Sequence, residues 1–242
     1  MRYAILSDIH GNLEALQSVI QDIEKKSVDP IICLGDIVGY GPNPNECIQV
    51  IKATAKINLA GNHDYAPMGK IDTSYFNHYA KLAIEWTRTE LKAESEAFLA
   101  NLPLSATFNG NLFVHATPYR PDEWNYIFSI DDAIKNFMAF EEQICFIGHS
   151  HSPVIFVESN NHHYRVSLET QMTILDNERY IINIGSVGQP RDLNPRSAYA
   201  IYDTDTQTYR LNRVEYDIYK TQKKMKEAGL PDFLIARLQV GQ

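Results

Sequence analysis

Ser7-Asp8-Ile9-His10-Gly11-Asn12 follows the apolar run Tyr3 to Leu6 and leads straight into Leu13, Leu16, Ile20 and Ile23 at helical spacing. A short apolar strand that ends in polar residues and passes at once into an amphipathic helix is the opening of a βαβ unit. Asp8 and His10 stand two positions apart where that strand leaves its sheet. They make poor core residues, but they are a good pair of ligands for one divalent cation.

The same construction recurs downstream. Ile31 to Leu34 is a short apolar run that stops at Gly35-Asp36, and the turn-rich Tyr40 to Asn45 leads into a helix carrying Cys47, Ile48 and Ile51, with Asn43 or Asn45 as its cap. Lys56 to Ala60 reads as a third strand and ends in Gly61-Asn62-His63-Asp64. Asn111 to Val114 closes on His115, and Ile144 to Ile147 closes on Gly148-His149-Ser150-His151. Between them, Tyr75 to Asn101 has a helical pattern stopped by Pro103. Beyond residue 153, short strand-like runs separated by Asn, Asp and Ser turns predict an antiparallel sheet after the βαβ half, followed by a helix from Asp217. No repeat or linker interrupts the chain, which reads as one domain over residues 1–242 of α/β class.

Composition narrows the function. The apolar fraction of 44% suits a soluble globular protein, and no apolar run reaches the roughly 18 residues of a membrane span. Cys33, Cys47 and Cys145 are an odd, dispersed set in apolar surroundings, which fits buried thiols in a cytoplasmic protein. A formal charge of -8 disfavours long nucleic acid and acidic membrane surfaces as partners.

Five strand ends thus deliver nitrogen and oxygen ligands, three of them right after a glycine. Asp8, His10, Asp36, Asn62, His115, His149 and His151 are too many for one tetrahedral zinc and include no thiolate. They suit two divalent transition-metal ions, with manganese favoured and iron, zinc, cobalt or nickel also compatible. Two such cations about 3.5 to 4 Å apart need a shared anion, and Asp36, central in the set, is the candidate to bridge them with its two oxygens. Two bridged cations would lower the pKa of a shared water towards neutrality.

In that order, Asp-x-His-Gly, Gly-Asp, Gly-Asn-His-Asp, a later His and Gly-His-x-His resemble the calcineurin-like metallophosphoesterase superfamily over roughly residues 3 to 190. The resemblance implies a four-layer α/β/β/α sandwich of two mixed sheets flanked by helices, with a dimetal site at the strand carboxyl ends. It implies one metal on Asp8, His10, Asp36 and His151 and a second on Asp36, Asn62, His115 and His149. His63 would be the non-ligand histidine beside the phosphoryl group, with Asp64 either orienting it or capping the next segment.

The protein phosphatase pattern Gly-Asp-x-x-Asp-Arg-Gly is not kept, because Gly35 to Gly41 lacks the second Asp and the Arg. The phosphate-binding cation must come from elsewhere. Gly185 to Asp192 resembles a loop of the bacterial phosphodiesterase-like branch and offers Arg191, unless that residue pairs with Asp192. Tyr119, with Arg120 and Trp124, is a candidate to contact a leaving group such as a base. The expected activity is hydrolysis of a phosphodiester or phosphoanhydride bond in a small, nucleotide-type substrate. A non-catalytic scaffold like the retromer subunit of this fold, a phosphomonoesterase or protein phosphatase, and a nuclease are the alternatives.

Overall fold

A computed structural model describes all 242 residues. Its first sheet is begun by β1 (Arg2–Leu6), β2 (Ile31–Cys33) and β3 (Ala55–Asn58), which run parallel and are joined by α1 (Leu13–Glu24) and α2 (Pro44–Thr54). After α3 (Asn62–Tyr65), α4 (His78–Glu90) and α5 (Ala93–Ala100), the chain enters the second sheet through β4 (Ser105–Phe108) and β5 (Asn111–Val114). Next come α6 (Ile130–Phe137), β6 (Ile144–Ile147), β7 (Val154–Ser159), β8 (His163–Ser167), β9 (Gln171–Thr173) and β10 (Glu178–Asn183). β11 (Ser197–Asp203), β12 (Thr208–Val214), α7 (Ile218–Glu227) and α8 (Asp232–Arg237) complete the chain.

The strand orders are β3-β2-β1-β11-β12-β9 and β4-β5-β6-β10-β7-β8. The late strands do not form the separate antiparallel sheet expected from the sequence. β11, β12 and β9 extend the first sheet from β1, while β10, β7 and β8 extend the second from β6. Local sequence carries the strand period but not the partner, and here the partner lies far along the chain.

Side-chain alternation builds the four layers. Tyr3 and Ile5 of β1 meet Ile144 and Phe146 of β6 in the core between the sheets. Ala4 and Leu6 point the other way, onto Leu16 and Val19 of α1 and Ile48 and Ile51 of α2. On the far side, Cys145 and Ile147 pack with Ala133 and Phe137 of α6. A strand covered on both faces must be apolar along its covered length, which is why β1 from Tyr3 onward, β2 and β6 read as unbroken apolar runs.

The pattern from Tyr75 to Asn101 splits into α4 and α5 at Leu91, where the backbone turns extended. No local breaker is responsible. Asn45 donates from Nδ2 to the Glu90 carbonyl and accepts on Oδ1 from the Lys92 N–H, closing one helix end and opening the next. Asn45 therefore serves these helices, and Asn43 takes the first cap position of α2 without a side-chain cap bond.

Candidate metal centre

All five ligand-bearing strand ends meet at one edge of the sandwich, because β1, β2 and β3 are mutually parallel and β5 is parallel to β6. Asp8, His10, Asp36, His149 and His151 have φ between 51° and 65°, in the left-handed region. Non-glycine residues avoid that region, and here it turns each strand sharply enough to put alternate side chains on one centre. The glycines before three ligand segments are explained by close approach. A Cβ on Gly61 would lie 2.0 Å from Asp36 Oδ1, and one on Gly148 would lie 2.5 Å from Asp8 Oδ2.

Two ligand groups result. Asp8, His10, Asp36 and His151 bring one donor atom each within 4.8 Å of one another, as do Asp36, His115 and His149, and every one of these residues is buried. Asp36 belongs to both. Its Oδ1 accepts the His63 N–H at 2.7 Å, while Oδ2 lies 3.6 Å from His10 Nε2 and 3.3 Å from His115 Nε2. Oδ2 is thus the Asp36 oxygen that faces a histidine of each ligand group, while Oδ1 also carries a main-chain hydrogen bond.

Orienting partners fix the tautomers. His10 Nδ1 faces the Val38 carbonyl at 3.1 Å, His151 Nδ1 faces the Gln189 carbonyl at 2.6 Å, and His149 Nε2 faces the Trp124 carbonyl at 2.9 Å. A carbonyl only accepts, so each of those nitrogens carries the hydrogen and the other ring nitrogen keeps its lone pair. His10 Nε2 and His151 Nε2 then face each other at 3.0 Å, an arrangement that a cation between them relieves. Asp8 Oδ1, Asn62 Oδ1 and both ring nitrogens of His115 are buried without any hydrogen-bond partner. Orphaned buried donors and acceptors are costly, and metal ligation answers Asp8 Oδ1, Asn62 Oδ1 and one of the two His115 nitrogens. The donor set fits two divalent cations, and Asn62 Oδ1 is a further buried oxygen without a partner.

The electrostatics agree. Against the cost of burial, His151, His10 and His115 hold Asp8 well below the usual carboxylate range, and Asp36 is likewise depressed by His115 and His63. Burial opposes charge on His115, yet Asp36, Asp8 and Asp64 raise it to about 9. Burial and the charge of His115 lower His149 to about 4, and burial with Arg191 lowers His151 to about 3.

A calcineurin-like phosphoesterase superfamily domain model matches residues 1–207. The chain belongs to the calcineurin-like phosphoesterase superfamily. It is 41% identical over 246 residues to an uncharacterized protein of Methanocaldococcus jannaschii, covering 99% of this chain and 98% of that one. The crystal structure of a metallophosphoesterase from Sphaerobacter thermophilus superposes with a TM-score of 0.88 at 42% identity, covering 100% and 99% of the two chains. A stretch of 64 residues, 25% of this chain and 23% of the other, is 39% identical to a symmetrical bis(5'-nucleosyl)-tetraphosphatase of Psychromonas ingrahamii.

Around the metallophosphoesterase centre, His63 is buried, 4.4 Å from the Tyr40 ring and 4.9 Å from that of His10, and burial keeps its pKa well below the ordinary value. At the place of the second Asp in the protein phosphatase motif stands Gly39, with φ 88°. A Cβ there would lie 2.5 Å from His63 Nδ1, so the imidazole rests directly on the glycine backbone.

Asp64 does not orient His63. Its carboxylate accepts the N–H groups of Ile37, Val38 and Gly61 at 2.9, 3.2 and 2.9 Å, bracing the loops that follow β2 and β3. Burial and the neighbouring Asp36 push its pKa up to about 7 in spite of those donors.

Arg191 is free of Asp192, which pairs with Arg213. Its guanidinium donates to Gln189 Oε1 at 2.8 Å and lies 5.6 Å from the Tyr40 ring centroid, on the residue that replaces the motif's Arg. The loop carrying it grips the first strand end, for Gly188 N–H and Ser186 Oγ both donate to the Asp8 carbonyl.

Tyr119 is not brought to the centre. Its N–H is held by Asn136 Oδ1 of α6, and it borders a depression with Lys135 and Met138. Trp124 and Tyr126 reach the centre instead, because Arg120 and Trp124 adopt left-handed φ of 50° and 55° and fold the loop inward. Tyr40, Gln189, Tyr126 and the Trp124 carbonyl were missed in the sequence. A main-chain carbonyl has no sequence signature, and lone tyrosines read as core.

Proposed function

We propose that this metallophosphoesterase hydrolyses phosphodiester or phosphoanhydride bonds in a small, soluble, nucleotide-type substrate, using two divalent cations with manganese the favoured metal. The observation that carries the reading is Asp36 Oδ2, one buried oxygen facing both histidine-bearing ligand groups. Bound there, the cations would supply Lewis acidity and an activated water.

Asp8, His10, Asp36 and His151 hold one cation, and Asp36, Asn62, His115 and His149 the other. His63 is neutral in the free protein and donates a hydrogen bond to a phosphoryl or leaving oxygen. Substrate negative charge raises its pKa and lets it deliver a proton to the leaving group. Arg191 contacts a phosphate oxygen, the role left open by the missing motif Arg. Asp64 acts by bracing the loops rather than by proton transfer.

The 64-residue likeness to a bis(5'-nucleosyl)-tetraphosphatase supports a pyrophosphate-linked nucleotide as substrate. The charge of -8 weighs against a nuclease acting on long strands, and the complete ligand set weighs against a scaffold. Three unpaired, buried cysteines suit a reducing, cytoplasmic setting. No helix is long and apolar enough to cross a membrane.

The test is a panel of dinucleoside polyphosphates, cyclic nucleotides, phosphodiesters, phosphomonoesters and phosphopeptides, assayed after chelation and reconstitution with manganese. Catalytic efficiency on nucleotide diesters or anhydrides should exceed that on phosphopeptides at least about tenfold, or ~1.4 kcal/mol of transition-state binding. Arg191→Ala should weaken that activity without loss of metal. Better turnover of phosphopeptides overturns the reading.

A further inference from the structure

A cavity of about 420 Å³ opens directly onto the centre, with Asn62, His63 and His149 among its lining residues. One wall is the segment Tyr75 to Asn77 ahead of α4, and the other is the loop Glu123 to Tyr126. Ligand pockets typically run from about 300 to 1,000 Å³, so this one has room for a single nucleoside.

The chemistry of its walls is specific. Tyr40, Tyr75, Phe76, Trp124 and Tyr126 line it, no Lys or Arg does, and its one carboxylate, Glu123, is paired outward with Arg120 at 2.8 Å. Such a surface has nothing to attract a further phosphate and much to hold a flat, uncharged ring. Arg191 lies against Tyr40 but is not among the lining residues. The rings are also unequal. Tyr126 has both faces covered, by His149 at 4.0 Å and Phe128 at 4.9 Å, and presents only its edge. Trp124 is buried, and Phe76 packs 5.4 Å from His63. Tyr75 is 63% exposed and meets Phe76 edge-on, so it keeps a ring face for a stacking partner.

Resting on the proposed function, we propose that this cavity is a nucleoside subsite in which Tyr75 stacks on the base while the phosphate sits at the centre. Asn125 and Asn77 stand beside it, and although Asn125 Nδ2 donates to Glu123 and Asn77 Oδ1 accepts from Ala80 N–H, each amide keeps its other half for the polar edge of a base. One base is recognised, and the other end of a dinucleotide extends beyond the cavity. Tyr75 is therefore the specificity-determining residue.

The test compares the binding of adenosine 5'-monophosphate with that of ribose 5-phosphate, which carries the same phosphate and no base. Calorimetry on the full chain, metal-free and again with manganese, supplies the readout. The nucleotide should bind at least about fivefold more tightly, the lower range for one base stacked on an aromatic ring. Tyr75→Ala should remove most of that advantage and Tyr75→Phe should restore it. Equal affinity for the two ligands in the unaltered protein overturns the subsite, as does a Tyr75→Ala variant that keeps the full preference or weakens both ligands equally. Base preference is read from binding, so it can fail while diester hydrolysis stands, and hydrolysis can fail while the preference persists.

Discussion

The main-chain N–H of His63 donates a 2.7 Å hydrogen bond to Asp36 Oδ1, tying the histidine nearest the proposed reaction to the carboxylate shared by both ligand groups. Oδ2 of the same carboxylate faces a histidine of each group. Asp36→Asn should therefore lower bound manganese from two ions per chain to below one, whereas Asp8→Asn should lower it by about one. Elemental analysis of reconstituted protein reads both. Equal, single-ion losses in the two variants would refute the shared carboxylate.

His63→Asn removes the imidazole but keeps the main-chain N–H on Asp36. Metal content should stay near that of the unaltered protein while turnover falls by about 100-fold or more, the range for loss of a proton donor or charge-stabilising group. Near-native turnover would exclude His63 from the chemistry. Loss of metal would make it a ligand.

Asp64→Ala leaves three buried N–H groups without their acceptor. A destabilisation of about 3 kcal/mol or more is expected, read as the shift of the denaturant midpoint at constant slope. Metal affinity should fall with it, since the Val38 carbonyl that orients His10 belongs to the braced loop. A loss below about 1 kcal/mol would mean that the brace is dispensable.

The metal-free protein should be most stable near pH 6.5. His115, raised to about 9 from the ordinary 6.5, contributes stability that is complete below about pH 6.5 and is lost as pH climbs through about 9. His149 and His151, lowered to about 4 and about 3, act in the opposite direction. The unfolded chain takes up their protons first, so stability also falls as pH drops from about 6.5 towards 4. Cation binding needs His115 neutral, so metal uptake at pH 7.5 should release a proton. Thermal melts of chelated protein across pH 4 to 9.5, and calorimetry in buffers of different ionisation enthalpy, check both statements. A flat stability profile would count against this account of the centre.

The ligand-bearing strand ends were legible because a buried parallel strand is apolar throughout, so the first polar residue after it marks the sheet edge. Asp8, His10, Asp36, His115, His149 and His151 converge as the apolar runs imply, and Asn62 is buried with its Oδ1 unpartnered. β4 and β12 were not legible, since both are partly exposed strands with polar positions such as Ser105, Arg210 and Asn212. Asn45 looked like a cap for its own helix and instead serves two helices some 45 residues on, a long-range relationship that no local pattern encodes. That Tyr126 and not Tyr119 borders the centre was hidden for a similar reason. The loop's inward fold depends on left-handed φ at Arg120 and Trp124, residues that do not announce a turn.

Each ligand group draws from both sheets. Asp8, His10 and Asp36 follow strands of the first and His151 a strand of the second, while Asp36 again belongs to the first and His115 and His149 to the second. A bound ion is thus a rivet through the sandwich, fastened to residues 8 through 151 of the chain. During refolding the two sheets must dock before either rivet can close, so high-affinity metal capture marks the end of tertiary assembly and not its start. Once closed, the rivets hold the layers together against shear, and stripping the ions should loosen the whole stack rather than one loop.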